Sequence, residues 1–185
     1  MDNRKKIEIE YYDKTAEDSG GYEFSVLGSY KFIYDKIREI CRGKIVLDYG
    51  CGSGVHSIEI AKMVAKKVIG IDLSDKSLEI AQKRAGSKVD FLKMDCEQMT
   101  FSDNNFDIVF DGGTFSSLDI KKALPEISRI LKPSGCLIGI ETLGHNPITN
   151  MKRKFNKLTG KRTEWAVEHI LRMDDWEEFK KYFNK

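Results

Sequence analysis

Lys44-Ile-Val-Leu-Asp-Tyr-Gly-Cys-Gly-Ser-Gly54 carries an apolar, β-branched run straight into three alternating glycines. A helical pattern follows over about residues 55–67. A strand that ends in such a loop and restarts as a helix builds a cradle. A side chain at Gly50, Gly52 or Gly54 would fill space where a ligand and a tight turn must meet. The first turn of the helix then aims unpaired backbone N–H groups at the ligand.

The spacing of the glycines separates the ligands such a cradle takes. A dinucleotide fingerprint reads G-x-G-x-x-G, whereas here the glycines stand at 50, 52 and 54 and position 55 is Val. That disfavours a nicotinamide-dependent oxidoreductase. No Lys-Ser or Lys-Thr pair follows the loop, which argues against a phosphate-binding P-loop. Asp48, just ahead of the glycines, suits a ligand with a cationic amino end better than a diphosphate.

Outward from the loop, short β-branched runs alternate with longer helical stretches, the pattern of a parallel sheet with crossover helices. Strands are expected near 45–49, 68–72, 89–93, 106–110 and 136–141, and helices near 26–41, 55–67, 75–85, 119–131 and 163–183. Ser74 suits the N-cap of the third helix and Gly86 its stop. Pro125 falls early in the fourth, where a missing N–H is tolerated. Asp48, Asp72, Asp95 and Asp111 all stand at expected strand ends. Singly, each is as well explained as a turn former or helix cap; together with Gly50 at successive ends of one sheet, they favour a shared site.

These motifs resemble, in order, those of class I S-adenosylmethionine (SAM) dependent methyltransferases, and most nearly the broad small-molecule group that includes quinone-biosynthesis methyltransferases. The glycine loop resembles the family's first motif. Val68-Ile-Gly-Ile-Asp72-Leu-Ser resembles the second strand, whose carboxylate meets the ribose hydroxyls, and a carboxylate can accept from both hydroxyls of a diol. Val89-Asp-Phe-Leu-Lys-Met-Asp95-Cys-Glu resembles the strand whose acidic residue meets the adenine amino group. Phe106-Asp-Ile-Val-Phe-Asp111 and Ile130-Leu-Lys-Pro-Ser-Gly-Cys-Leu-Ile-Gly-Ile140 resemble the fourth and fifth strands. The resemblance covers about residues 44–142 and implies SAM-binding roles for Asp48, Gly50, Cys51, Gly52, Gly54, Asp72, Leu73, Asp95, Cys96 and Asp111. It implies a Rossmann-like, doubly wound α/β sheet, mostly parallel. The family's last two of seven strands have no counterpart before Lys185, which reads as a shortened form or as a different disposition of the final segment. An edge left there would be covered, and self-association as a homodimer is one way to cover it.

On this reading the chain is one domain: an N-terminal lid and helices over 1–43, a cofactor-binding core over 44–142, and an acceptor-side segment with a final helix over 143–185. With 185 residues, 41% hydrophobic and 32% charged, it is sized for a single soluble core. No apolar run approaches the ~20 residues of a membrane span, and the charged N-terminus does not read as a secretory signal, so a cytoplasmic location is expected. The net charge of +2 is too small to argue for nucleic acid. Cys41, Cys51, Cys96 and Cys136 lack metal-ligand spacing, as do His56, His145 and His169, so no metal is expected. Cys51 reads as a small residue fitting the turn sooner than as a nucleophile.

The acceptor side is less constrained. His145, after the fifth strand, is open to two readings: a general base, since an imidazole titrates near ~6.5, or a structural or solvent-exposed residue. Glu141 could orient a substrate or end the strand. Gly112 and Gly113 could admit a substrate or form a turn. Ile9-Glu-Tyr-Tyr-Asp-Lys-Thr-Ala resembles a lead segment that folds over SAM in many small-molecule methyltransferases, with Tyr11 or Tyr12 closing the site; plain packing explains them equally well. Lys152 to Arg162 carries six basic residues and no acid, which reads as a solvated helix face or connector, or as an attractor of an acidic acceptor, an anionic membrane or RNA. The expected function is methyl transfer from SAM to a small molecule, with oxygen or carbon acceptors favoured. The alternative is a SAM-binding protein without catalysis.

Overall fold

The computed structural model describes residues 2–17, 28–85, 87 and 89–183. Its elements are α1 (Asn3–Thr15), α2 (Gly28–Ile40), β1 (Ile45–Tyr49), α3 (Val55–Ala61), β2 (Lys67–Asp72), α4 (Asp75–Ala85), β3 (Asp90–Lys93), β4 (Phe106–Asp111), α5 (Ile120–Ile130), β5 (Leu131–Gly139), α6 (Pro147–Leu158), α7 (Glu164–Glu168) and α8 (Trp176–Lys180). Short 3-10 turns cover Phe115–Ser117 and Met173–Asp175.

Five parallel strands form one sheet in the order β3-β2-β1-β4-β5. The strands alternate between two apolar layers, as a sheet covered on both faces requires. Val46, Val68, Ile108 and Phe110 pack with Ile33 and Ile37 of α2, Ile60 of α3 and Leu78 and Ala81 of α4. Leu47, Tyr49, Ile71 and Val109 face the other way, against Leu124 and Ile127 of α5 and Phe179 of α8. Winding runs outward from β1 to β3 and then jumps back to β4, so the sheet reverses direction between β1 and β4. Open α/β sheets bind ligands beyond the strand ends at such a point.

α4 occupies 75–85 as its pattern predicts, and the Ser74 hydroxyl accepts from the Ser77 N–H at 3.0 Å as its cap. Residues 26 and 27 of the first expected helix, and Gly86 as a stop, lie outside the described residues. Four expectations are corrected. The helix after the glycine loop ends at Ala61, not 67, because the chain turns through Val64 in left-handed conformation (φ 66°) to enter β2. Pro125 sits in the middle of α5, where its ring nitrogen cannot donate to the Lys121 carbonyl. β5 begins at Leu131, opposite Phe106, and a pairing irregularity carries it past Pro133. The final helix of 163–183 is broken into α7, the turn at 173–175 and α8, because the chain around Leu171 leaves the helix and its carbonyl accepts from the Gly144 N–H at 2.8 Å.

Candidate active site

A cavity of about 680 Å³ opens at the carboxyl ends of β1, β2 and β4, within the size range of small-molecule sites. Its floor is the loop Gly50–Ser53 after β1, its sides are Asp72 to Ser74 after β2, Cys96 after β3 and Gly112 to Thr114 after β4, and α1 lies across it with Glu8, Tyr11 and Tyr12.

The glycines divide the work of the loop. Gly50, Gly52 and Gly54 all have φ between 49° and 77°, the left-handed region that favours glycine. A Cβ on Gly50 would lie 2.4 Å from the Thr114 side chain, and one on Gly54 2.7 Å from Phe91 Cζ. A Cβ on Gly52 would meet no protein atom within 4 Å. Gly50 and Gly54 therefore serve close packing, and Gly52 alone turns its bare face to the cavity. The Gly52 N–H donates to Asp72 Oδ2 at 2.9 Å, and the Ser74 N–H to Asp72 Oδ1 at 2.9 Å, so the carboxylate is fixed at the cavity wall. Burial pushes its pKa up, against the backbone donors that hold it down.

Several expected site residues stand elsewhere. Asp48 is fully buried beneath the loop, does not line the cavity, and accepts a hydrogen bond from the Ser57 hydroxyl of α3; burial raises its pKa to about 7. Asp95 lies outside the lining as well: Lys5 of α1 donates to Oδ2 at 2.5 Å and the Glu97 N–H to Oδ1 at 2.9 Å. Asp111 is buried under the turn it caps, accepting from the Gly113 and Thr114 N–H groups at 3.3 and 3.0 Å. It reaches a second hollow, of about 1090 Å³, between β5 and α8, together with Glu141, whose carboxylate accepts from the Phe115 N–H at 2.7 Å and whose pKa burial lifts to about 7. His145 is exposed and outside both cavities, its Nε2 3.5 Å from the Met173 N–H.

Cys51, Cys96 and Leu73 line the cavity, and burial holds both thiols well above their usual pKa. Tyr12 places its hydroxyl 2.9 Å from Ser117 Oγ, and burial of that end pushes its pKa up to about 12. Tyr11 donates to the Lys161 carbonyl at 2.7 Å, joining α1 to the segment after α6.

Among the lining residues that the sequence reading did not assign to the site are His56 and Glu8. His56, on the first turn of α3, has Nδ1 2.6 Å from the Tyr34 hydroxyl and its ring stacked on Tyr30; burial lowers its pKa to about 4, so it is neutral at cellular pH. Its place beside the glycine loop was the available signal. Glu8 is buried on α1, and neither carboxylate oxygen has a hydrogen-bond partner among the described residues. Burial raises its pKa; the Thr163 and Ser117 hydroxyls and the Arg4 and Arg162 guanidiniums lie near enough to oppose that. Nothing in the sequence distinguishes Glu8 from Glu10. Among the described residues, no group of three or more His, Cys, Asp or Glu is placed to hold a metal ion.

Residues 46–135 match the model of the methyltransferase domain family. The matched span runs from β1 into β5 and holds the glycine loop, Asp72 and the turn after β4, the floor and much of the sides of the cavity. The matched span is that of a methyltransferase domain. This domain is 36% identical over 106 residues to the demethylmenaquinone methyltransferase of Staphylococcus aureus, an alignment covering 55% of this chain and 44% of that protein. It is 38% identical over 102 residues to the sterol 24-C-methyltransferase of Aspergillus fumigatus, covering 52% of this chain and 27% of that one. The chain thus spans less than half the length of these curated relatives. The YcgJ protein of Bacillus subtilis superposes with a TM-score of 0.67 at 21% identity, over 82% of this chain and 67% of that structure, a likeness of fold. The matched span leaves out α1, α2, α6, α7 and α8, although α1 and the residues just after α6, Gly160 and Lys161, line the cavity.

Proposed function

We propose that this chain transfers a methyl group from SAM to a small-molecule acceptor, with oxygen or carbon acceptors favoured over nitrogen. The observation that carries the reading is the paired geometry of Gly52 and Asp72: a bare, left-handed glycine beside a carboxylate fixed at the cavity wall. The two hydroxyls of a diol could donate to that carboxylate, and the open face of Gly52 leaves room for the rest of the ligand. Bound SAM would supply an electrophilic methyl group on a sulfonium. Cys51, Leu73 and Cys96 would bound its apolar parts, and Asp95 would meet an adenine amino group only by sharing its contact with Lys5. Tyr11 and Tyr12 close the far wall and exclude water.

Glu8, buried at the cavity wall, favours a protic acceptor, and it would take the general-base role in place of the exposed His145. Glu8 would accept the acceptor's proton as the electron pair freed on oxygen, or relayed to carbon, forms the new bond to the methyl carbon; the pair of the broken C–S bond stays on sulfur. Named for demethylmenaquinone and a sterol, the relatives are consistent with such acceptors. The domain would work in the cytoplasm; no helix among the described residues is long and apolar enough to cross a membrane. The outer edge of β5, unpaired among the described residues, would be the seat of any homodimer, which sedimentation velocity would detect.

Calorimetric titration with SAM, its demethylated product and NAD is the first test. Binding of the first two without NAD is expected, and binding of NAD alone would overturn the proposal. Methyl-labelled SAM offered with phenolic and quinol acceptors then separates an enzyme from a SAM-binding protein without catalysis, which would show no label transfer.

A further inference from the structure

Helix α6 presents an apolar stripe to solvent. Ile148, Met151, Phe155 and Leu158 are 72%, 69%, 63% and 83% exposed, and their spacing of three and four residues sets them on one face of the helix. The helix is well fixed without them. Asn146 caps it, accepting from the Ile148 and Thr149 N–H groups, and Gly160 leaves it in left-handed conformation. The opposite face holds it to the body of the protein: Arg153 is buried and donates to Asn150 at 2.8 Å, Asn150 donates to the Gly144 carbonyl at 2.9 Å, and Lys157 pairs with Glu164 and Glu168.

At 100° per residue, Lys152 and Lys154 fall about 80° to either side of the stripe. Both are exposed, and neither makes an ion pair among the described residues. Lys161, just beyond the helix, is exposed as well, and residues 147–162 contain no acid.

We propose that α6 docks flat on an anionic lipid surface, with Ile148, Met151, Phe155 and Leu158 entering the acyl boundary and Lys152 and Lys154 reaching the headgroups from the two flanks. An apolar stripe bordered on both sides by long cationic side chains is the pattern of a helix lying in a membrane interface, where lysine stems pack on apolar surface while their charges stay in water. Charge decides against the other occupants. A second copy laid along the same stripe would set lysine against lysine with no acid on either helix to meet them. A protein groove deep enough to cover the stripe would bury both flanking charges, whereas a plane leaves them at its surface.

The consequence for the active site rests on the proposed methyl transfer. Gly160 and Lys161, where α6 ends, line the cavity, and Tyr11 of the covering helix is bonded to the Lys161 carbonyl. Docking would therefore bring the cavity rim to the bilayer, where an acceptor dissolved in lipid can enter. Binding to lipid itself does not depend on that reading.

The full chain, without SAM or acceptor, should be co-sedimented with vesicles of phosphatidylcholine alone and with vesicles containing roughly one-third phosphatidylglycerol. Binding to the anionic vesicles, at least tenfold tighter than to the neutral ones and weakened by salt, is expected. Phe155→Ser with Leu158→Ser should abolish it at unchanged melting temperature, and Lys152→Glu with Lys154→Glu should remove its salt-sensitive part. Failure to bind anionic vesicles, or binding that neither double variant alters, overturns the proposal. So does a dimer in sedimentation velocity that the Phe155/Leu158 variant dissociates, which would assign the stripe to a second copy.

Discussion

An alanine at Gly54 would set its Cβ 2.7 Å from Phe91 Cζ and 2.9 Å from Ala81 Cβ, in a backbone with φ 77°. Strain and overpacking add, and a loss of about 2–4 kcal/mol is expected, visible as a lowered melting temperature. Gly52→Ala meets only the backbone term, about 1 kcal/mol, because its Cβ points to open space. Its damage should fall on the ligand: SAM affinity at least tenfold weaker by calorimetry, with most of the stability kept. If Gly52→Ala bound SAM normally, the cradle would lie elsewhere. Glu8→Gln keeps shape and removes the base. With its raised pKa, Glu8 must lose a proton to act, so the wild-type rate should climb with pH through that ionisation. The variant should lose this limb and about 10²-fold or more in kcat, at unchanged Kd for SAM. A pH profile identical in the variant would remove Glu8 from the chemistry.

Helix α1 lies over the cavity because two cations on its first turn reach acids beyond β3. Arg4 donates to both oxygens of Glu97 at 2.6 and 2.7 Å and to the Ser117 carbonyl at 2.9 Å, with its guanidinium 4.8 Å from the Trp165 ring centre; Lys5 stands 2.9 Å from Glu97. The Glu97 side chain is 1% exposed, so Arg4→Ala leaves a buried carboxylate short of its closest partner. A cost of about 3 kcal/mol is expected, with faster hydrogen exchange in α1 than in β1 and weaker SAM binding. Equal loosening of both elements would mean that α1 is not held by this pair. None of this was legible in the sequence, because the pairs join residues some ninety positions apart. What could be read was local: strands marked by β-branched runs, the glycine loop by its spacing, α4 by its cap. The stretch over 163–183 kept a helical pattern throughout, yet a contact between Leu171 and Gly144 breaks it. Asp48, Asp95 and Asp111 stand where strand ends were expected, but whether a carboxylate turns to the cavity or beneath the loop depends on Ser57, Lys5 and Thr114, partners that periodicity does not reveal.

Buried carboxyls couple the stability of the whole fold to its affinity for a cation. Burial raises Asp48 from 3.8 to about 7, Glu141 from 4.5 to about 7, and Asp72 and Asp111 in the same direction. Between their unfolded and folded pKa values the native state holds protons that the unfolded chain has released, so this contribution is full below pH ~4 and is lost as pH rises through about 7. His56, lowered from 6.5 to about 4, acts oppositely, losing stability as pH falls below 6.5. Above its unfolded value the carboxyls act alone, so the melting temperature should fall from pH ~6.5 to ~8, and less steeply in Asp48→Asn, whose amide oxygen can still accept from Ser57. The same ionisations place negative charge below and beside the cavity. SAM carries a sulfonium that its demethylated product lacks, so over this range its affinity should rise with pH more than the product's, and its binding should release protons. Calorimetry in buffers of different ionisation enthalpy measures both. A SAM-to-product affinity ratio that stays constant from pH ~6 to ~8 would show that these carboxyls do not sense the ligand's charge.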